Sequence, residues 1–239
     1  MTTHIMLSLS CVTALMTLPP PHGASRSRSG YSDWPGFTAW QIAKVKGLFK
    51  KHGVDVELVW FPVYTDSLTA LNTGQARLQP ADLERRDGAA RRGHSSSRPC
   101  VILDNSFGND ALIAKPGDRR RRRISKGKTI ATELGTCDHF LMLKALDAAG
   151  LTEKDVKYTN LTVPDAAAAF IAGKVDAAVI WQPWVSQIQR EGTGKVIYSS
   201  ADIPGLIPDI AICQASVVEK RPTPRSRSSS RCGSTSSTS

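Results

Sequence analysis

The sequence predicts an α/β protein of two Rossmann-like lobes joined by a hinge, and three observations carry that expectation. Strand-like and helix-like segments alternate with short loops in two separate blocks, one starting at Gly30 and one near Gly127, as in α/β units around a mostly parallel sheet. The chain has 239 residues, 41% apolar and 22% charged, enough to bury a core in one or two compact lobes. Composition shifts abruptly where the pattern lapses, which sets the boundaries of the blocks.

In the first block Trp40, Ile42, Ala43, Val45, Leu48 and Phe49 recur at helical spacing among four lysines, and His52-Gly53 stops the helix. Val54 to Phe61 alternates as a strand. Thr65-Asp66-Ser67 caps a helix over Leu68 to Asn72 that ends at Gly74. In the second block Lys128 to Thr132 is a strand, Gly135 to Asp138 a turn and cap, and His139 to Ala149 a helix closed by Gly150. Val156 to Leu161 is the next strand, Asp165 caps a helix over Ala166 to Ala172, and Ala177 to Trp181 is the last strand.

The net charge of +10 would ordinarily suggest nucleic acid or an anionic membrane. Its position excludes that. Ala76 to Pro99, Asp118 to Ile124 and Pro222 to Ser239 hold 14 Arg, no Lys and 4 acidic residues, while the rest balances 17 basic against 17 acidic residues. Arg119 to Arg123 has no interleaved aromatics and no nucleic-acid fold around it. Five cysteines lack CxxC or Cys/His ligand spacing, so neither a metal site nor a disulfide framework is indicated. No apolar run approaches the roughly 20 residues of a membrane-spanning helix. Ile5 to Leu18 looks like the core of an export signal without its basic flank, and the residues before Cys11 make a poor lipoprotein box.

Parallel sheets present ligands with the carboxyl ends of their strands, where helix N-termini offer free N–H groups. Ser32 to Gly36, Thr65 to Ser67, Gly135 to His139 and Trp181 to Trp184 occupy such turns and form the candidate site. The alternatives are rigid turns with packed indoles for the tryptophans and plain N-caps for Asp33, Asp66 and Asp138. No Ser-His-Asp or Cys-His arrangement is legible around His139, and no phosphate-binding glycine loop is present. No catalytic residue, cofactor or metal is therefore expected.

Four runs, GYSDWPGFTAWQIAKVKGLFKKHGVDVELVWFPVYTDSLTALNTGQ, DNSFGNDALIAKPG, KGKTIATELGTCDHFLMLKALDAAGL and DAAAAFIAGKVDAAVIWQPWVSQI, resemble the nitrate/sulfonate/taurine group of ABC importer substrate-binding proteins. The resemblance covers most of residues 30–221. It implies a type II periplasmic-binding fold, with lobe 1 over 30–115, lobe 2 over 116–200 and a return to lobe 1 over 201–221. Residues 1–29 would be a leader and 222–239 a disordered tail. The chain would leave lobe 1 near Ala114 to Gly117 and return near Ser199 to Ile212.

Carried over residue by residue, the resemblance assigns solute contacts to Ser32, Asp33 and Trp34, to Thr65 and Asp66, to the helix start Gly135, Thr136 and Asp138, and to aromatic walls Trp181 and Trp184. The implied ligand is a small, anionic, nitrogen- or sulfur-containing nutrient. The implied partner is the membrane permease, the location periplasmic or otherwise extracytoplasmic, and the state monomeric.

The three Arg-rich segments depart from the family. Ala76 to Gly88 can be back-translated so that the next reading frame gives RDCNQQTWSDEMA, and Thr223 to Ser239 so that the preceding frame gives DAALALVVAVWFDVVDV; both resume the family pattern. Asp118 to Ile124 can similarly hide IADVA. Frameshifted segments would cost lobe 1 the strand and helix after Gln75 and its C-terminal helices, exposing apolar surface and strand edge. Two other readings stay open at this level: an enzyme making a thiamine pyrimidine precursor, which should carry a cysteine-rich iron motif and a reactive His, and a sensor module.

Overall fold

The computed structural model describes residues 27–82, 97–115, 124 and 126–216. The first lobe holds β1 (Ser27–Tyr31), α1 (Thr38–Val45), α2 (Leu48–Lys51), β2 (Val56–Trp60), α3 (Tyr64–Asn72), β3 (Leu78–Asp82), β4 (Ser97–Asn105) and the late strand β10 (Pro208–Gln214). The second holds β5 (Asp110–Ala114), β6 (Thr129–Thr132), α4 (Cys137–Ala148), β7 (Lys157–Asn160), α5 (Val163–Ile171), β8 (Ala177–Trp181), α6 (Trp184–Arg190) and β9 (Lys195–Ser199).

Each lobe is built on one five-stranded sheet, of order β2-β1-β3-β10-β4 and β7-β6-β8-β5-β9. In each, four strands run in one direction and the fourth position is taken by a strand antiparallel to both its neighbours, β10 in one and β5 in the other. The sheets are thus mixed, each with a single reversed strand among four that share a direction. Their common plan arises because the chain crosses twice between lobes, laying one antiparallel strand beside each parallel set.

The crossings differ from expectation on the outward pass. Asp110–Ala114 lies in the second sheet, where Ala111, Leu112 and Ile113 are buried, so the chain changes lobe at 106–109 and not after Ala114. The return runs through 200–207. The two passes are tied together: Ser106 N–H donates to the Ile207 carbonyl at 2.9 Å, the Gly108 N–H donates to Ser200 Oγ at 2.7 Å, and the Ser106 and Ser200 hydroxyls are 2.9 Å apart.

The second lobe carries the denser core. β8 is buried along its whole length, as its unbroken apolar sequence requires of a strand covered on both faces. Phe170, Leu112, Ile113, Ile130, Leu141, Met142, Leu146, Ile180 and Ile188 are fully enclosed around it. In the first lobe α1 buries none of its residues, Ile42 and Val45 remain 54% and 82% exposed, and Val101 and Ile102 on β4 are exposed as well.

Four sequence expectations are corrected. The single helix over Trp40 to Phe49 breaks into α1 and α2 at Gly47, whose φ of 67° lies in the left-handed region that glycine tolerates. The strand after Gln75 is not lost: Leu78–Asp82 pairs with β1 and β10, and Ala81 is fully buried. The leader assigned to residues 1–29 overlaps β1, because Ser27 to Ser29 pair with Val56 to Leu58. Cys100 and Cys213, on neighbouring strands β4 and β10, form a disulfide that no spacing motif announced. The remaining leader, residues 118–123 and the tail 222–239 lie outside the described residues.

Candidate functional site

A cavity of about 310 Å³, counting its open mouth, lies between the lobes. The first lobe contributes Ser32, Trp34, Phe37, Tyr64 and Asp209, the second Asp110, Cys137 and Trp181, and the return crossing Ile207. Every one of these sits at the end of a strand or the start of a helix. The β1–α1 turn places Ser32 and Trp34, the first turn of α3 places Tyr64, the first turn of α4 places Cys137, and β8 ends on Trp181.

Across the cleft, Asp33 joins the lobes. Its two carboxylate oxygens accept the indole N–H of Trp181 at 3.2 Å and that of Trp184 at 2.8 Å. Tyr64 and Trp181 meet edge to face, with ring centres 5.8 Å apart, an arrangement favoured by the aromatic quadrupole. These contacts are made by the loops that the sequence placed at one shared mouth.

Beneath the mouth, Asp110 is held by the Ser106 hydroxyl on one oxygen and faces the Cys137 thiol at 3.7 Å on the other. Asp138, fully buried in the first turn of α4, lies close by: one ligand-type atom each of Asp110, Cys137 and Asp138 falls within 4.8 Å of the others. The helix start expected to receive an anion therefore meets carboxylates of the protein itself. On the opposite side, the register sets Asp209 of β10 between Asp82 of β3 and Asp104 of β4. No Lys or Arg is among the described lining residues.

Of the ten predicted site residues, Ser32, Trp34 and Trp181 line the cavity, and Asp33 and Trp184 close its rim. Thr136 is buried as the residue before α4, with its hydroxyl given to the Glu133 carbonyl at 2.7 Å, while Asp138 lies behind Cys137. Thr65, Asp66 and Gly135 do not line it; Thr65 is half-buried, and Asp66 and Gly135 are exposed. His139 bonds outward, with Nε2 3.1 Å from Glu153. Phe37, Tyr64, Asp110, Cys137, Ile207 and Asp209 were not singled out by sequence. The two aspartates carried a usable signal, each standing at the head of an apolar strand after a Gly-containing turn.

A sequence model of the NMT1-like family matches residues 99–227, more than half the chain. This chain belongs to the NMT1-like family. Among its relatives, a protein of Brucella abortus (strain 2308) assigned as a binding protein is 30% identical over 174 residues, 71% of this chain and 52% of the relative. The taurine-binding periplasmic protein of Escherichia coli (strain K12) is 30% identical over 132 residues, 51% of this chain and 38% of that one. Among solved structures, the alkanesulfonate-binding protein SsuA of Xanthomonas axonopodis pv. citri, bound to MOPS, superimposes with a TM-score of 0.71 at 24% identity, covering 82% of this chain and 67% of that chain. This NMT1-like chain thus has the type II periplasmic-binding fold expected from its motifs, and the proteins it resembles include taurine- and sulfonate-binding proteins. It spans about half the length of the curated relatives it matches. Those named relatives are binding proteins, and no helix among the described residues is long and apolar enough to cross a membrane.

Proposed function

We propose that this chain is a solute-binding component of an ABC importer, holding a small nutrient between its lobes and presenting the closed form to a membrane permease outside the cytoplasm. The observation that carries the reading is the cavity lined from both lobes and spanned by the Asp33 bridge to Trp181 and Trp184. A ligand gripped on two sides favours closure by its differential affinity for the closed form, and closure is a signal that a partner can read. The Cys100–Cys213 bridge suits an oxidising, extracytoplasmic compartment. The relatives' names make taurine and sulfonates natural first solutes to test, although the acid-rich lining does not favour an anion.

The proposal extends to the gene. We take the Arg-rich stretches after Gln75 and Pro222 to be out-of-frame translations, in keeping with the sparse burial in the first lobe. Resequencing that shows no single-nucleotide insertion or deletion able to restore the family pattern would remove that part of the proposal. For the function itself, native mass spectrometry of the purified chain should show a retained small molecule that is lost on mild denaturation. Its absence, together with no thermal stabilisation across a broad solute screen, would count against solute binding.

A further inference from the structure

We infer that the cleft selects a compact uncharged solute carrying a carbonyl or sulfonyl oxygen, in place of the anion that the family resemblance implies; this rests on the solute-binding reading above. The Ser32 hydroxyl and the Trp34 indole N–H have no hydrogen-bond partner within the protein, although their residues are only 1% and 8% exposed. Both residues line the cavity, and both stand on the turn between β1 and α1. A buried donor without a partner has given up its bond to water and received nothing in exchange. The indole N–H can only donate, and the hydroxyl can donate as well. The chemistry that answers both is an acceptor oxygen on a solute.

The ionisable groups of the cavity are engaged by the protein itself. Asp110 is bonded by the Ser106 hydroxyl and faced by the Cys137 thiol, and Asp209 likewise interacts within the chain. Asp138, in the first turn of α4, supplies the negative charge that a helix N-terminus favours. The carboxylates therefore ask the solute for no charge.

Nor does the lining compensate an anion, since no Lys or Arg is among its described residues. An anion entering here would exchange its hydration for hydrogen bonds from two neutral side chains, and removing a charge from water costs far more than removing a neutral carbonyl or sulfonyl group. The uncharged group loses less water and meets the same two donors. Phe37, Tyr64 and Trp181 supply apolar walls for the rest of a compact solute.

The test uses two pairs of solutes alike in shape and different in charge, acetamide with acetate and methanesulfonamide with methanesulfonate. Each is added at about 10 mM, neutral pH and constant ionic strength in a thermal-shift series on the full chain, followed by calorimetry on any that stabilises. At least one uncharged member should raise the melting temperature, and its charged counterpart should not. Ser32→Ala and Trp34→Phe should each weaken that solute roughly threefold to tenfold. If Trp34→Phe fails to fold, Ser32→Ala alone decides. Ser32→Ala has a second readout: deleting an unpartnered buried hydroxyl should leave the melting temperature of the solute-free chain unchanged or raised, whereas a hydroxyl bonded within the protein would give a fall. Such a fall, or undiminished affinity in the variants, overturns the inference. Stabilisation by a charged member equal to or above that by its uncharged counterpart overturns it too and leaves solute binding standing. No response to any of the four overturns the uncharged class as well, and the retained-solute measurement then decides whether solute binding falls with it.

Discussion

Replacing Asp33 should uncouple the lobes by an amount that can be worked out from its two bonds. The half-buried carboxylate accepts from Trp181 at 3.2 Å and from Trp184 at 2.8 Å. Hydrogen bonds to a charged group contribute about 1.5–3 kcal/mol each, and the partial exposure of this carboxylate argues for the lower value. Asp33→Ala should therefore cost about 3 kcal/mol. Asp33→Asn should cost about half that, because the amide oxygen can serve one indole while its NH2 faces the other as a second donor. The assay is a double-mutant cycle by urea unfolding with Asp33→Ala, Trp184→Phe and their combination. A coupling energy of about 1.5 kcal/mol is expected. Effects that add to within about 0.5 kcal/mol would refute the inter-lobe bond as a determinant of the closed form.

Three other perturbations test the scaffold. Adding a Cβ at Gly194 would place it 2.5 Å from Ile113 Cγ2, 2.7 Å from Phe170 Cε1 and 2.9 Å from Ile188 Cγ2, so Gly194→Ala should lower second-lobe stability by about 1–3 kcal/mol in chemical denaturation. The Cys100–Cys213 bridge spans 113 residues of sequence, and reduction or Cys213→Ser should lower stability by up to about 5 kcal/mol, read as a fall in melting temperature. Asp155 is held at about 2, below its ordinary 3.8, chiefly by its hydrogen bond with Lys126 and then by the Thr152 backbone and hydroxyl. Because the folded value is the lower one, its stabilisation is present above the ordinary value and lost as pH falls toward 2. The difference in urea midpoint between the native chain and Asp155→Asn should accordingly shrink between about pH 4 and pH 2.

Local signals marked most of the second lobe. The helix from Cys137 to Ala148 and the strand from Ala177 to Trp181 follow from apolar periodicity and from Gly150 as a stop, all properties of neighbouring residues. The outward crossing was misplaced by one strand because Asp110–Ala114 reads simply as a strand; nothing local says which sheet will take it. The strand Ser27–Tyr31 was not read because Ser-Arg-Ser is no strand signature, and parallel pairing with Val56–Trp60 supplies what propensity does not.

The same division runs through the site. From the residues alone came two α/β lobes, the loops at their shared mouth, and the family, because helix stops and motif order are written in contiguous sequence. Tertiary structure alone decided that Asp33 would meet indoles 148 and 151 residues away, that β10 would carry Asp209 between β3 and β4, and that Asp110 would come to rest beside Cys137. Charge in a cleft depends on which distant strands become neighbours, and strand register across two chain crossings is settled by packing of the whole molecule, which no local pattern encodes.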